Sequence, residues 1–174
     1  MPSLRERVAA MRVSATTPDG AATIEVVGGY TARISVSSRH YDVMSEGELA
    51  HALQQVMRLG FAARKRGYDE IRAEALGERR TPITGSREER ELAELQALVD
   101  ASSAEGVSSD GAVTAFASNM TNWVFTVQPG TRGLLDAAAF GERASEAVNR
   151  LVEEHLRTVK GIRARYRREH PAPV

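Results

Sequence analysis

The sequence predicts an α+β fold made twice in one chain, each repeat being a helix, a three-stranded antiparallel meander and a long helix. Three observations carry this. The stretch from Thr17 to Ala75 opens on an Asp19-Gly20 turn, alternates through two strand-like segments and runs into a long helix with a basic end. The same order returns from Ser108 to Tyr166 with every position displaced by 91, so that Asp19-Gly20 falls on Asp110-Gly111, Gly28-Gly29 on Asn119-Met120, and Ser45 on Asp136. Both stretches keep the period of two expected of half-buried strands: Ala22, Ile24 and Val26 match Val113, Ala115 and Ala117, and Ala32, Ile34 and Val36 match Trp123, Phe125 and Val127. Identities such as Thr23/Thr114, Val36/Val127 and Arg72/Arg163 are few, so the order of elements carries the repeat.

The elements follow in order. Leu4, Val8 and Met11 share one helical face after a Ser3 cap, which predicts a short amphipathic helix. Val13 to Thr16 reads as a first strand, Pro18-Asp19-Gly20 turns it, and Gly28-Gly29 supplies the positive φ of a tight hairpin. Ser45 and Glu48 form a capping box at the start of a helix whose inner face, Leu49, Ala52, Leu53, Val56, Gly60 and Ala63, is narrow and small-sided. Residues 77–85 lack periodicity and hold a proline, and read as a linker between a first repeat at 1–76 and a second at 86–168. A second capping box, Ser86 to Glu89, opens a helix through Leu92, Leu95, Ala97, Leu98 and Val99. Ala101 to Gly106 is expected to be a loop, with the second set of strands starting near Val107. The last helix is expected from Asp136 to Arg168, with Phe140, Ala144, Ala147, Leu151 and Val159 in a broad apolar stripe, followed by a frayed tail at 169–174.

At 174 residues and 26% charged, the chain has the size of one domain or of two small halves sharing a core. No apolar run approaches the roughly 20 residues that span a bilayer, and the first residues lack a secretory apolar region. A cytoplasmic protein with no membrane partner is expected. There is no cysteine, which excludes disulfides and thiolate chemistry. The formal net charge is zero, so any argument about partners rests on where the charges lie.

Cations gather in two places. Arg64, Lys65, Arg66 and Arg72 follow one another on the later turns of the first long helix. Arg157, Lys160, Arg163, Arg165, Arg167 and Arg168 follow on the last helix, with no acid between Glu154 and Glu169. Such a run is either a solvated helix end favoured by the macrodipole or a surface that contacts phosphates. Arg5, Arg7 and Arg12 of the first helix region are candidates to join it. Catalytic, cofactor and metal sites find no support: His40, His51, His155 and His170 are scattered without a ligand pair, and there is no phosphate-loop glycine motif or nucleophile elbow.

Helix, meander and long helix is the layout of the YbaB/EbfC family of small bacterial nucleoid-associated proteins. The stretch from Val13 to Gly20, followed by Ile24-Glu25-Val26, resembles that family's strand-turn-strand opening, and the resemblance continues through Ile34-Ser35-Val36. The helix start at Met44-Ser45-Glu46-Gly47-Glu48-Leu49-Ala50 is similar to YbaB-like proteins associated with the mycobacterial type VII (ESX) secretion systems, the EspD and EspH proteins above all. Residues 13–75 carry the resemblance directly and 106–166 carry it through the repeat. It implies an intertwined dimer with joined sheets and paired projecting helices, and double-stranded DNA held near basic helix ends. Two copies in one chain would then form a pseudo-dimer with one continuous sheet. The DNA-binding residues so implied are the two cation groups above, reading phosphates with weak sequence specificity at the nucleoid. The alternative is an adaptor or chaperone that binds a type VII secretion protein. Further pairing into a homo-oligomer and later export are left open by the sequence.

Overall fold

The computed structural model describes residues 3–76 and 87–170. Its elements are α1 (Leu4–Ala10), β1 (Arg12–Thr16), β2 (Ala22–Val27), β3 (Thr31–Val36), α2 (Ser38–Tyr41), α3 (Glu46–Leu76), α4 (Arg87–Asp100), β4 (Ser103–Val107), β5 (Val113–Ser118), β6 (Asn122–Val127), α5 (Thr131–Leu134) and α6 (Ala137–Glu169). The fold is α+β with two three-stranded antiparallel sheets, ordered β1-β2-β3 and β4-β5-β6. Adding 91 to the bounds of β1, β2 and β3 returns those of β4, β5 and β6, and the start of α3 maps onto the start of α6.

Local chemistry repeats with the strands. The buried Thr17 hydroxyl accepts a hydrogen bond from the Ala22 N–H at 3.0 Å, and Ser108, at the equivalent position, accepts one from Val113 at 3.0 Å. The hairpins at Gly28-Gly29 (φ 61° and 93°) and Asn119-Met120 (φ 53° and 49°) share the left-handed conformation of a two-residue turn. Both expected caps of the first repeat form: the Ser3 and Ser45 hydroxyls accept from the Glu6 and Glu48 amides, and each glutamate accepts from its cap's N–H.

Two expectations need correction, and others fall outside the described residues. No ladder joins β3 to β6, so two sheets stand where one continuous sheet was expected. Residues 103–106, expected as loop before a strand near Val107, already belong to the strand β4: their weak strand propensity is overridden by pairing with β5 from Ser103↔Ser118 to Val107↔Thr114. The short helices α2 and α5 were not expected. The linker at 77–85, the Ser86 cap and residues 171–174 of the tail lie outside the described residues, while Glu169 closes α6.

The halves are connected by their long helices. α3 covers β1 and β2 and also packs on β6, while α6 covers β4 and β5 and also packs on β3. One hydrophobic cluster runs through both halves, from Ile24, Leu53 and Met57 to Trp123, Phe140 and Leu151. The Phe61 ring of α3 lies 4.9 Å from that of Trp123 on β6. On the other side α6 takes the place of a neighbouring strand for β3. Asn149 accepts from the Ala32 N–H at 2.8 Å and donates to the Ala32 carbonyl at 3.0 Å, and Ser145 Oγ accepts from the Ile34 N–H at 2.8 Å. A Cβ on Gly141 would come within 2.8 Å of the Ile34 carbonyl, so the glycine permits this approach. The polar edge of β3 is thereby closed to a further strand.

Where each helix meets its own sheet, the repeats solve one packing problem in opposite ways. In the first, Gly60 on α3 makes room for Ile24, and a Cβ there would lie 2.5 Å from Ile24 Cγ2. In the second, the helix carries Leu151 at Gly60's position and the sheet carries Ala115 at Ile24's. The remaining space is taken from β4, where Gly106 replaces Ala15 and lets the backbone of α6 come close enough that a Cβ would lie 2.0 Å from the Ala147 carbonyl.

Candidate nucleic-acid interface

Beyond the sheets each long helix runs on, and a shorter helix packs beside it: α1 along α3, and α4 along α6. The expected cation groups lie on these two extensions and behave differently.

On α3 two of the four cations are engaged within the fold. Arg64 donates to the Gly29 carbonyl, and its guanidinium lies 3.8 Å from the centroid of the Tyr30 ring, which ties the helix to the β2–β3 hairpin. Lys65 pairs with Asp69 at 3.0 Å one turn on. Arg66 and Arg72 are exposed but share the helix with Asp69, Glu70 and Glu74, and the last turn holds no basic residue. Near the first helix, Arg7 pairs with Glu74 and Arg12 on β1 lies 3.4 Å from Glu25. Arg5 is exposed.

On α6 the group stays on the surface. Arg157, Lys160, Arg163, Arg165, Arg167 and Arg168 are all exposed, and none is in an ion pair among the described residues. At 100° per residue they spread over about 200° of the helix circumference, so they form a cationic sleeve rather than a stripe. Arg167 and Arg168 lie in the last turn, where the helix macrodipole favours positive charge. The uncovered side is set by α4. Val159 and Tyr166 are buried, and the Tyr166 hydroxyl donates to Glu94 at 3.1 Å. The Tyr166 ring stacks on His170 with centroids 4.2 Å apart. Between the two helices lies a shallow groove of about 350 Å³ bordered by Glu91, Leu92, Leu95, Arg163, Arg167 and His170. Glu91 borders this groove and Glu94 accepts from Tyr166, so α4 brings negative charge to this side of α6. Arg157, Lys160, Arg165 and Arg168 border no part of that groove.

Asp110 is held down to about 2, first by the Ala112 N–H and then by the Ser108 hydroxyl and Arg143. The half-buried His155 is pushed down by desolvation, so it adds little charge to the sleeve at neutral pH. The residues that sequence reasoning missed are the clamp of the second repeat: Arg143 Nε donates to Asp110 Oδ2 at 2.7 Å, and Glu146 accepts from the Ser109 N–H and hydroxyl, each at 3.0 Å. The available signal was the repeat register, in which Arg143 and Glu146 replace Ala52 and Gln55.

The exposed cations on α6 can neutralise phosphates. Comparison with known protein families, curated proteins and solved structures finds no match for this chain.

Proposed function

We propose that the chain is a non-enzymatic, YbaB-like DNA-binding protein in which two repeats form an internal pseudo-dimer, and that it holds the phosphates of double-stranded DNA at the nucleoid through the far end of α6. The observation that carries this reading is the sleeve itself: six exposed cations over residues 157–168 of one helix, with no acid among them. The pseudo-dimer is supported by the mutual packing of α3 on β6 and α6 on β3. The α3 cations contribute less, since Arg64 and Lys65 are engaged within the fold. Recognition is by charge, weakly dependent on sequence and strongly dependent on salt.

The test is fluorescence anisotropy of a labelled random-sequence duplex at several salt concentrations. Five phosphate contacts give a log-log salt slope of about −4.5, and an Arg163→Ala/Arg165→Ala/Arg167→Ala variant should flatten it to about −2 and weaken binding. An Arg66→Ala/Arg72→Ala variant should change binding much less. Absence of binding at low salt, or a triple variant that binds like the parent, overturns the reading.

A protein partner, such as one of a type VII secretion system, is the second reading. It is favoured by exposed apolar side chains near Trp123 and on α3: Val124 (52% exposed) pairs across the ladder with Phe116 (38%), and Leu59 is 38% exposed.

A further inference from the structure

The turns that open the two meanders are equivalent, yet only one is closed. In the second repeat Asp110 accepts from the Ala112 N–H through Oδ1 and from Arg143 through Oδ2, and the side chain of Arg143 crosses from α6 to the turn. Glu146 clamps the same turn at Ser109. In the first repeat Asp19 keeps the inner bond, its Oδ1 accepting from the Ala21 N–H at 3.0 Å. The outer partners have been replaced. Ala52 stands where Arg143 does, Gln55 where Glu146 does, and Pro18, without an N–H, where Ser109 does. Among the described residues Asp19 is in no ion pair. Shortening arginine to alanine leaves a concavity of about 210 Å³ between the turn and α3, lined by Asp19, Met44, Glu48, His51, Ala52 and Gln55.

We infer that this pocket is a binding site for a guanidinium group on an alkyl stem, which takes over Asp19 the place that the Arg143 side chain takes over Asp110. The volume lies below the roughly 300 Å³ at which small-molecule pockets usually begin, so it suits a side-chain head. Asp19 supplies a carboxylate already oriented by its own turn, Glu48, held by Ser45, adds a second negative charge to the lining, and Met44 and Ala52 give the apolar wall along which an alkyl stem can lie. The fork of a guanidinium fits a carboxylate with two parallel bonds, which a primary amine cannot make.

The experiment follows the backbone amides of Gly20, Ala21 and Ala52 by NMR in the full chain, titrated separately with agmatine, with a blocked Gly-Arg-Gly peptide and with putrescine. Agmatine or the peptide should shift these amides with a dissociation constant on the order of millimolar, and putrescine should bind about tenfold more weakly. A peptide that binds more tightly than agmatine identifies the source as an arginine of another polypeptide, and the reverse identifies a free small molecule. Ala52→Arg, which gives the first repeat the second repeat's own guanidinium, should abolish the shifts. Asp19→Asn should weaken binding about tenfold while leaving DNA affinity unchanged, and it keeps the test intact if Ala52→Arg does not fold. No shift at about 30 mM agmatine or peptide, or an Ala52→Arg protein that binds like the parent, overturns the inference.

Discussion

Replacing Gly106 with alanine tests the close approach of β4 and α6. The added methyl would lie 2.0 Å from the Ala147 carbonyl oxygen, 2.4 Å from the Leu151 nitrogen and 3.0 Å from Leu151 Cα, all of them backbone atoms in the middle of a helix. Contacts of this kind do not fall below 3.0 Å, so helix and strand must separate by at least about 1 Å. A gap of 0.5–1 Å forfeits roughly a quarter to a half of each dispersion contact across it, and the contacts affected include those of the fully buried Val113, Ala115, Val148 and Leu151. Overpacking of this kind costs about 1–3 kcal/mol where side chains can yield, and a backbone clash belongs at or above the top of that range. The better strand propensity of alanine returns only about 0.5–1 kcal/mol. We expect Gly106→Ala to lower stability by about 3 kcal/mol in urea unfolding monitored by Trp123 fluorescence. Gly60→Ala faces only the Ile24 side chain and gains about 1 kcal/mol of helix propensity, so it should cost less. A loss below about 1 kcal/mol for Gly106→Ala, or equal losses for the two variants, would refute the idea that the repeats place their close approach on opposite partners.

Asn149→Ala leaves both backbone groups of Ala32 without their partner and should cost about 2 kcal/mol; amide exchange at Ala32 should accelerate while the Ser145-bonded Ile34 amide changes less. Asp110 is lowered in the folded chain from 3.8 to about 2, so its contribution is fully present above about pH 4 and is lost as the pH falls toward 2. Its side chain is 37% exposed, which reduces the nominal linkage to about 1 kcal/mol. Asp110→Asn should therefore be less stable at pH 7 and show a shallower loss between about pH 4 and 2, as read from thermal unfolding. Trp123, the only tryptophan, is 1% exposed and touches Phe61 of the other repeat, so its emission should be blue-shifted. Phe61→Ala should shift it to the red without loss of helical circular dichroism.

What could be read from the sequence was what depends on neighbours. The period-two strands, the Ser3 cap, the Ser45 capping box and the paired turns each rest on residues within a few positions of one another, and all appear where their patterns place them. β4 was not legible, since Ser103-Ala104-Glu105-Gly106-Val107 has little strand preference and is held by β5 and by α6, more than 40 residues away. Nor was the manner in which the halves meet. Its signal is present as Gly141, Ser145 and Asn149, a small and polar row at spacing four beside the apolar stripe of α6, but the row acquires meaning only against the unpaired edge of β3. The candidate site divided in the same manner. The α6 cations are exposed as a local charge run suggests, whereas Arg64 serves a hairpin 35 residues earlier and Lys65 a carboxylate one turn away.

The closing of β3 also has a consequence in time. Asn149 comes 117 positions after Ala32, and Ser145 comes 111 after Ile34. At about 5–20 residues per second, a ribosome needs on the order of ten seconds to deliver them. Throughout that interval the nascent first sheet presents an open edge to any other chain being made nearby. The hazard grows with the density of translating ribosomes and with pauses over the second half of the message, and no gain in stability of the finished protein removes it.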